Sequence, residues 1–214
     1  MPDVNNMTIV PVDPRNPLEA ELSMTAELLR SGGLVVAPTE TRYGLLIRAD
    51  RPESLQRLFA VKGRSALQPT SVFVADIAGA AKLARVSESA TRLAKAFLPG
   101  PLTLVLPSIV AWEPPLVVDG KIGIRISSSP VIAGLVGRVE APLTATSANR
   151  SGSPDLATAA EIQAVFGDEV DLYLDGGELM NDTSTVVDCT GPEVIILRRG
   201  AVDESEIRRV LGPG

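Results

Sequence analysis

Anion chemistry is what the charged residues of this sequence first suggest. Lys62 falls four residues after Leu58, on the apolar stripe that Leu55, Leu58 and Phe59 make in a predicted helix over residues 52–62. Gly63 releases the chain there and Arg64 follows at once. Arg125 interrupts an otherwise apolar strand pattern over residues 123–126, and Arg198 ends a similar run over 194–197. Lys62 and Arg64 read either as a pair of cations aimed into a cleft, or as a helix end whose lysine stem covers apolar surface while its charge meets the helix dipole. Arg125 either takes a solvent face or meets an acid or a ligand, because a charge in such a strand is seldom buried without a partner.

Small polar side chains accompany these cations. Ser147 and Asn149, in Thr146-Ser147-Ala148-Asn149-Arg150-Ser151-Gly152, stand two apart, so in extended geometry both point to one side. Short hydroxyl and amide groups beside glycine suit close approach to a phosphate or a purine edge, though the same composition also makes an ordinary turn. Thr39 follows Pro38 at the end of a predicted strand, a common place for ligand-binding loops in open α/β sheets. Thr103 and Ser184 are isolated hydroxyls in strand patterns.

The absences narrow the chemistry. The 214 residues include no histidine, which removes Ser-His-Asp and Cys-His catalysis and every histidine metal site. The single cysteine, Cys189, cannot form an intrachain disulfide or a C-x-x-C site and reads as a small buried residue at a strand end. Gly120-Lys121 is followed by Ile122, so no P-loop is present, and no strand is followed by G-x-G-x-x-G. The net charge of −6 argues against a molecule coated in positive potential but leaves room for a local basic cleft. No run approaches a membrane span, residues 1–17 lack a signal-peptide core, and the expected location is cytoplasmic.

The elements that must position these residues alternate irregularly. Periodicity predicts an edge strand over 7–12, helices over 17–30, 52–62, 76–84, 87–97 and 130–136, and a capping box at Thr158 that opens another helix. Strands are expected over 34–37, 70–75, 103–106, 123–126, 143–146, 172–174, 184–188 and 194–197, with a last helix from Asp203. Strand pairs without an intervening helix indicate an α/β fold with a twisted, open, mixed sheet and packed helices. No repeat, linker or break in composition divides the chain, so residues 1–214 are expected to form a single domain. Aromatics make up only 3% of the chain, and its core must be built from Leu, Val, Ile and Ala.

Taken together, the motifs resemble the YrdC-like family of threonylcarbamoyl-AMP synthases in its short form. The matching pieces are Pro38-Thr39-Glu40-Thr41 with Tyr43-Gly44-Leu45; Lys62-Gly63-Arg64; Pro99-Gly100-Pro101-Leu102-Thr103-Leu104; Gly123-Ile124-Arg125-Ile126; Ser147-Ala148-Asn149-Arg150-Ser151-Gly152; Ser184-Thr185-Val186-Val187-Asp188; and Leu197-Arg198. They run in the family's order over about residues 20–200. The resemblance implies a large concave, locally positive cavity and synthesis of L-threonylcarbamoyl adenylate from L-threonine, bicarbonate or CO2, and ATP, with release of pyrophosphate. Mg2+ would come with ATP, without dedicated protein ligands. The product would feed the t6A modification of tRNA through separate transfer machinery. Carried over residue by residue, Lys62 and Arg64 act in catalysis; Lys62, Arg64, Thr103, Ser147, Asn149 and Arg198 bind ATP; Thr39, Arg125 and Ser184 bind threonine. A double-stranded RNA- or tRNA-binding module, or a YciO-like relative with another substrate, are the alternatives; the K-x-R and S-x-N pairs, which the YciO-like branch lacks, favour the synthase. The chain departs from the family pattern at Arg42 (a small hydrophobe), Leu46 (often glycine), Ser65 (proline), Gln68 and Thr70 (Asn and Leu), and Asn181 (glycine). Arg42 and Leu46 border the expected threonine pocket.

Overall fold

The computed structural model describes residues 9–63 and 68–212. These form strands β1 (Ile9–Pro11), β2 (Val35–Pro38), β3 (Tyr43–Leu46), β4 (Ser71–Phe73), β5 (Leu102–Pro107), β6 (Val117–Val118), β7 (Lys121–Arg125), β8 (Leu143–Ser147), β9 (Leu172–Asp175), β10 (Thr185–Asp188) and β11 (Ile195–Arg198). The helices are α1 (Glu19–Arg30), α2 (Pro52–Lys62), α3 (Ile77–Ala81), α4 (Glu88–Phe97), α5 (Pro130–Val139), α6 (Ala159–Phe166) and α7 (Glu204–Leu211). One mixed sheet runs in the order β1-β9-β2-β3-β8-β4-β7-β5-β10-β11, with β6 beside β7. Parallel pairs (β1 with β9, β4 with β7, β5 with β10) alternate irregularly with antiparallel ones such as β2–β3 and β5–β7.

Local chemistry explains most boundaries. Pro52 opens α2, where its missing N–H costs nothing, and Gly63 closes it in the left-handed conformation at φ 59°. Thr158 and Glu161 cap α6 reciprocally, as the sequence predicts. Two strands depart from expectation. β3 is absent from the pattern reading because Tyr43, Gly44, Leu45 and Leu46 are all buried, which removes the alternation that marks a half-exposed strand. The two-residue β6 is too short to leave a period.

Helices cover the sheet unevenly, and this creates the site. In β2, Val35 and Ala37 pack under α1 and α5, while Val36 faces α2 and α6 on the other side. Farther along, Leu102, Leu104, Leu106, Ile122, Ile124, Val72 and Val187 pack against α3, α4 and α7. The alternate residues of those strands turn to the side that α1 and α5 leave uncovered. A cavity of about 600 Å³ opens there.

Candidate active site

Register across the sheet sets out the cavity floor. Arg198 pairs with Val186, Val186 with Thr103, Thr103 with Arg125, and Arg125 with Phe73, so five strands contribute one row of side chains to one face. A second row runs Asp188, Val105, Gly123, Ser71 and Ala145. Each of these residues lines the cavity, whereas the residues between them are core. Gly123 is required in its row, since a Cβ there would meet Ser71 Oγ at 2.4 Å and Ser71 Cβ at 3.0 Å.

Arg125 is buried and paired. Its Nη2 donates to Glu40 Oε1 and to Thr41 Oγ1, each at 2.7 Å, and its guanidinium lies 5.3 Å from the Phe73 ring centroid. Glu40 in turn accepts from the Ser127 hydroxyl. Arg125 Nε is buried without a hydrogen-bond partner. The Thr39-to-Arg42 turn is held by Thr39, whose hydroxyl lies 3.0 Å from Thr41 Oγ1, donates to the Arg42 carbonyl at 2.7 Å and accepts from the N–H of Thr41.

Arg198 makes the other charged wall. Its Nη2 donates to Ser184 Oγ at 2.9 Å and to the Ser184 carbonyl at 2.8 Å, and the Ser184 hydroxyl lies 3.0 Å from Thr103 Oγ1. Burial holds the Arg198 pKa below its ordinary value, and the charge of Arg125 lowers it further. The two arginine charges repel one another across the cavity, and an oxyanion between them would relieve both. At the opposite end Lys121 Nζ donates to Asp188 Oδ2 at 2.8 Å. Burial raises the Asp188 pKa, but bonds from Lys121 and Thr190 outweigh it and hold the carboxyl below its usual range.

The two motifs at Lys62 and at Ser147 form one construction. Lys62 is 3% exposed, and its Nζ donates to the backbone carbonyls of Ser147 at 2.5 Å and Asn149 at 3.0 Å. The N–H of Ser151 returns a bond to the Lys62 carbonyl at 3.0 Å. Ser147 Oγ donates to Asn149 Oδ1 at 2.6 Å, and Asn149 Nδ2 donates to the Ser153 carbonyl at 2.6 Å. The stretch is therefore a turn and also a wall: Ser147 lines the cavity while its neighbours are stitched to the end of α2.

A family model for Sua5, YciO and YrdC, described as telomere recombination, matches residues 27–200. The chain belongs to this family. The threonylcarbamoyl-AMP synthase of Pyrococcus abyssi is 35% identical over 212 residues, covering 96% of this chain and 62% of that protein. A crystal structure of P. abyssi Sua5 complexed with L-threonine matches at a TM-score of 0.88 and 34% identity, covering 96% of this chain and 61% of that one. Escherichia coli YciO matches at a TM-score of 0.85 and 25% identity, covering 92% of this chain and 98% of that one. The chain spans about three fifths of the length of the P. abyssi synthase and of its Bacillus subtilis counterpart.

In this Sua5/YciO/YrdC fold the residues expected from sequence divide into three groups. Thr39, Thr103, Arg125, Ser147, Ser184 and Arg198 line the one cavity. Lys62 and Asn149 stand behind Ser147 rather than on the lining, and Lys62 is not at a cleft surface. Arg64 lies outside the described residues. Arg125 meets the acid Glu40 in a largely buried pair, which removes the solvent-face alternative. Cys189 is buried, as expected, and burial pushes its thiol up to about 12. Glu40, Lys121, Gly123, Asp155 and Asp188 were not singled out by residue type and spacing. The buried arginine required an acid, but the partner lies 85 positions away, and no local signal names it.

No helix among the described residues is long and apolar enough to cross a membrane.

Proposed function

We propose that this chain is an L-threonylcarbamoyl adenylate synthase, consuming L-threonine, bicarbonate-derived CO2 and ATP and releasing pyrophosphate. The observation that carries the reading is the convergence of Arg125, Arg198, Thr103, Ser184, Thr39 and Ser147 on one cavity. Relatives bearing the synthase name, and the relative crystallised with L-threonine, add support along most of the chain.

In this reading Arg125 and the Thr39 and Ser184 hydroxyls hold threonine. Its amine nitrogen bonds to the CO2 carbon and loses a proton, giving a carbamate. A carbamate oxygen then bonds to the α-phosphorus of ATP as the bond from that phosphorus to pyrophosphate breaks. The carbamate, the threonine carboxylate and the triphosphate are all anionic, so the protein's contribution is to hold like charges together and oriented, with no protein nucleophile required. Arg198 and Thr103 serve the phosphates, and Ser147 and Asn149 the nucleotide. Lys62 positions both through their carbonyls, and Arg64 is assigned beside it from the motif.

Mg2+ enters with ATP as part of the substrate. Among the described residues no three His, Cys, Asp or Glu side chains gather into a potential metal site, and the lining carboxylates Asp155 and Asp188, like Glu40 beside Arg125, are each engaged by a cation. The adenylate would pass to separate machinery that modifies tRNA. The test is mass detection of threonylcarbamoyl adenylate after incubation with ATP, Mg2+, bicarbonate and L-threonine. A product formed with a different amino acid in place of threonine would favour the YciO-like alternative; retention of tRNA without any adenylate would favour the RNA-binding one.

A further inference from the structure

The cavity contains a guanidinium that this mechanism leaves without a role. Where the family pattern has a small hydrophobe before Tyr43, this chain has Arg42, which lines the cavity together with Gly44. Gly44 pairs with Ser147 across β3 and β8, and the Arg42 N–H donates to Thr39 Oγ1 at 3.2 Å. Arg42 thus stands between the threonine-rich turn and the Ser147 wall, where amino acid and nucleotide would meet.

Its partners are poor for so enclosed a group. Nε is buried and makes no hydrogen bond, with Asp155 Oδ2 at 3.4 Å. Nη1 donates at 3.0 Å to Met180 Sδ, and a thioether is a weak acceptor. A guanidinium in such a place normally engages an oxyanion through two short parallel bonds. Asp155 also acts on Arg198, opposing the fall in that arginine's pKa, so its carboxylate lies in the field of two cavity arginines.

We propose that Arg42 is a further ligand-binding residue that takes a phosphoryl oxygen of the nucleotide where it meets the amino acid. Asp155 is an internal stand-in for that oxyanion and yields its place when the ligand binds. The inference rests on the nucleotide reading of this cavity. It adds a contact that the family pattern, with a hydrophobe at this position, does not supply.

Calorimetric titration of inorganic pyrophosphate into the full chain, without threonine or turnover, tests it separately from adenylate synthesis. Arg42→Gln should bind pyrophosphate about tenfold more weakly than the parent, the size of one charge-assisted bond pair. Asp155→Asn removes the competitor and should bind at least about threefold more tightly. If Arg42 merely tethers the Asp155 loop, both variants weaken binding together. Unchanged affinity in Arg42→Gln, or an affinity in Asp155→Asn at or below that of the parent, would overturn the proposal. Should Arg42→Gln fail to fold, the Asp155→Asn titration decides alone. Normal pyrophosphate binding in both variants, with no adenylate made by the parent, would refute both this inference and the synthase reading. The predicted opposite shifts without adenylate would refute the synthase alone.

Discussion

Arg125 depends on Glu40 for its place in the cavity. The pair is nearly enclosed at 9% and 12% side-chain exposure, so removing the acid leaves a largely buried guanidinium without its counter-ion. Glu40→Ala should lower stability by about 2–3 kcal/mol in urea unfolding and weaken threonine binding as the guanidinium turns. Lys62 is similar in kind, since it holds two backbone carbonyls in a buried position. Lys62→Met should cost about 1–3 kcal/mol and raise KM for ATP through displacement of Ser147 and Asn149, a change that steady-state kinetics with ATP as the varied substrate would read. The cations of the site were legible from the sequence because each breaks an apolar period. Their acids were not, because Glu40 and Asp155 lie in loops, where a carboxylate violates no pattern.

Strand alternation does the work of building the floor, since the same strands present core on one face and cavity on the other. Gly123→Val would place a side chain against Ser71, filling the floor and overpacking it, with an expected loss of about 1–3 kcal/mol and of ligand binding in calorimetry. The Lys121–Asp188 bridge joins β7 to β10 across β5, and its pH dependence follows from the depressed Asp188 pKa. A carboxyl that is more acidic folded than unfolded stabilises the protein above the unfolded value near 4 and loses that contribution as pH falls through the folded value. Asp188→Asn should therefore be less stable than the parent at pH 7 in urea titrations, with the difference shrinking toward pH 3. Most strands and every helix were legible as periods with start and stop signals. β3 was not, because burial on both faces leaves only a short apolar run, and the pairing order of the sheet is set by contacts that no local pattern records.

The whole molecule has a net charge of −6, yet its cavity gathers Arg42, Lys121, Arg125 and Arg198 beside Asp119, Asp155 and Asp188. This is possible because helices cover one half of the sheet on both faces and the other half on only one. The exposed concave face then carries the arginines, and the acidic side chains elsewhere on the surface are screened from it by distance and salt. That arrangement was foreseeable as an α/β fold with a mixed sheet, whereas the site of the uncovered half depended on how α1 and α5 pack. On the proposed function, this cavity joins an amino acid to a nucleotide through captured CO2. The most direct measurement is pyrophosphate release from ATP with L-threonine and bicarbonate omitted in turn. Release that requires both, and that falls sharply in Arg125→Lys, is the predicted result. Release that continues at the same rate without threonine, or none at all with every substrate and Mg2+ present, would contradict it.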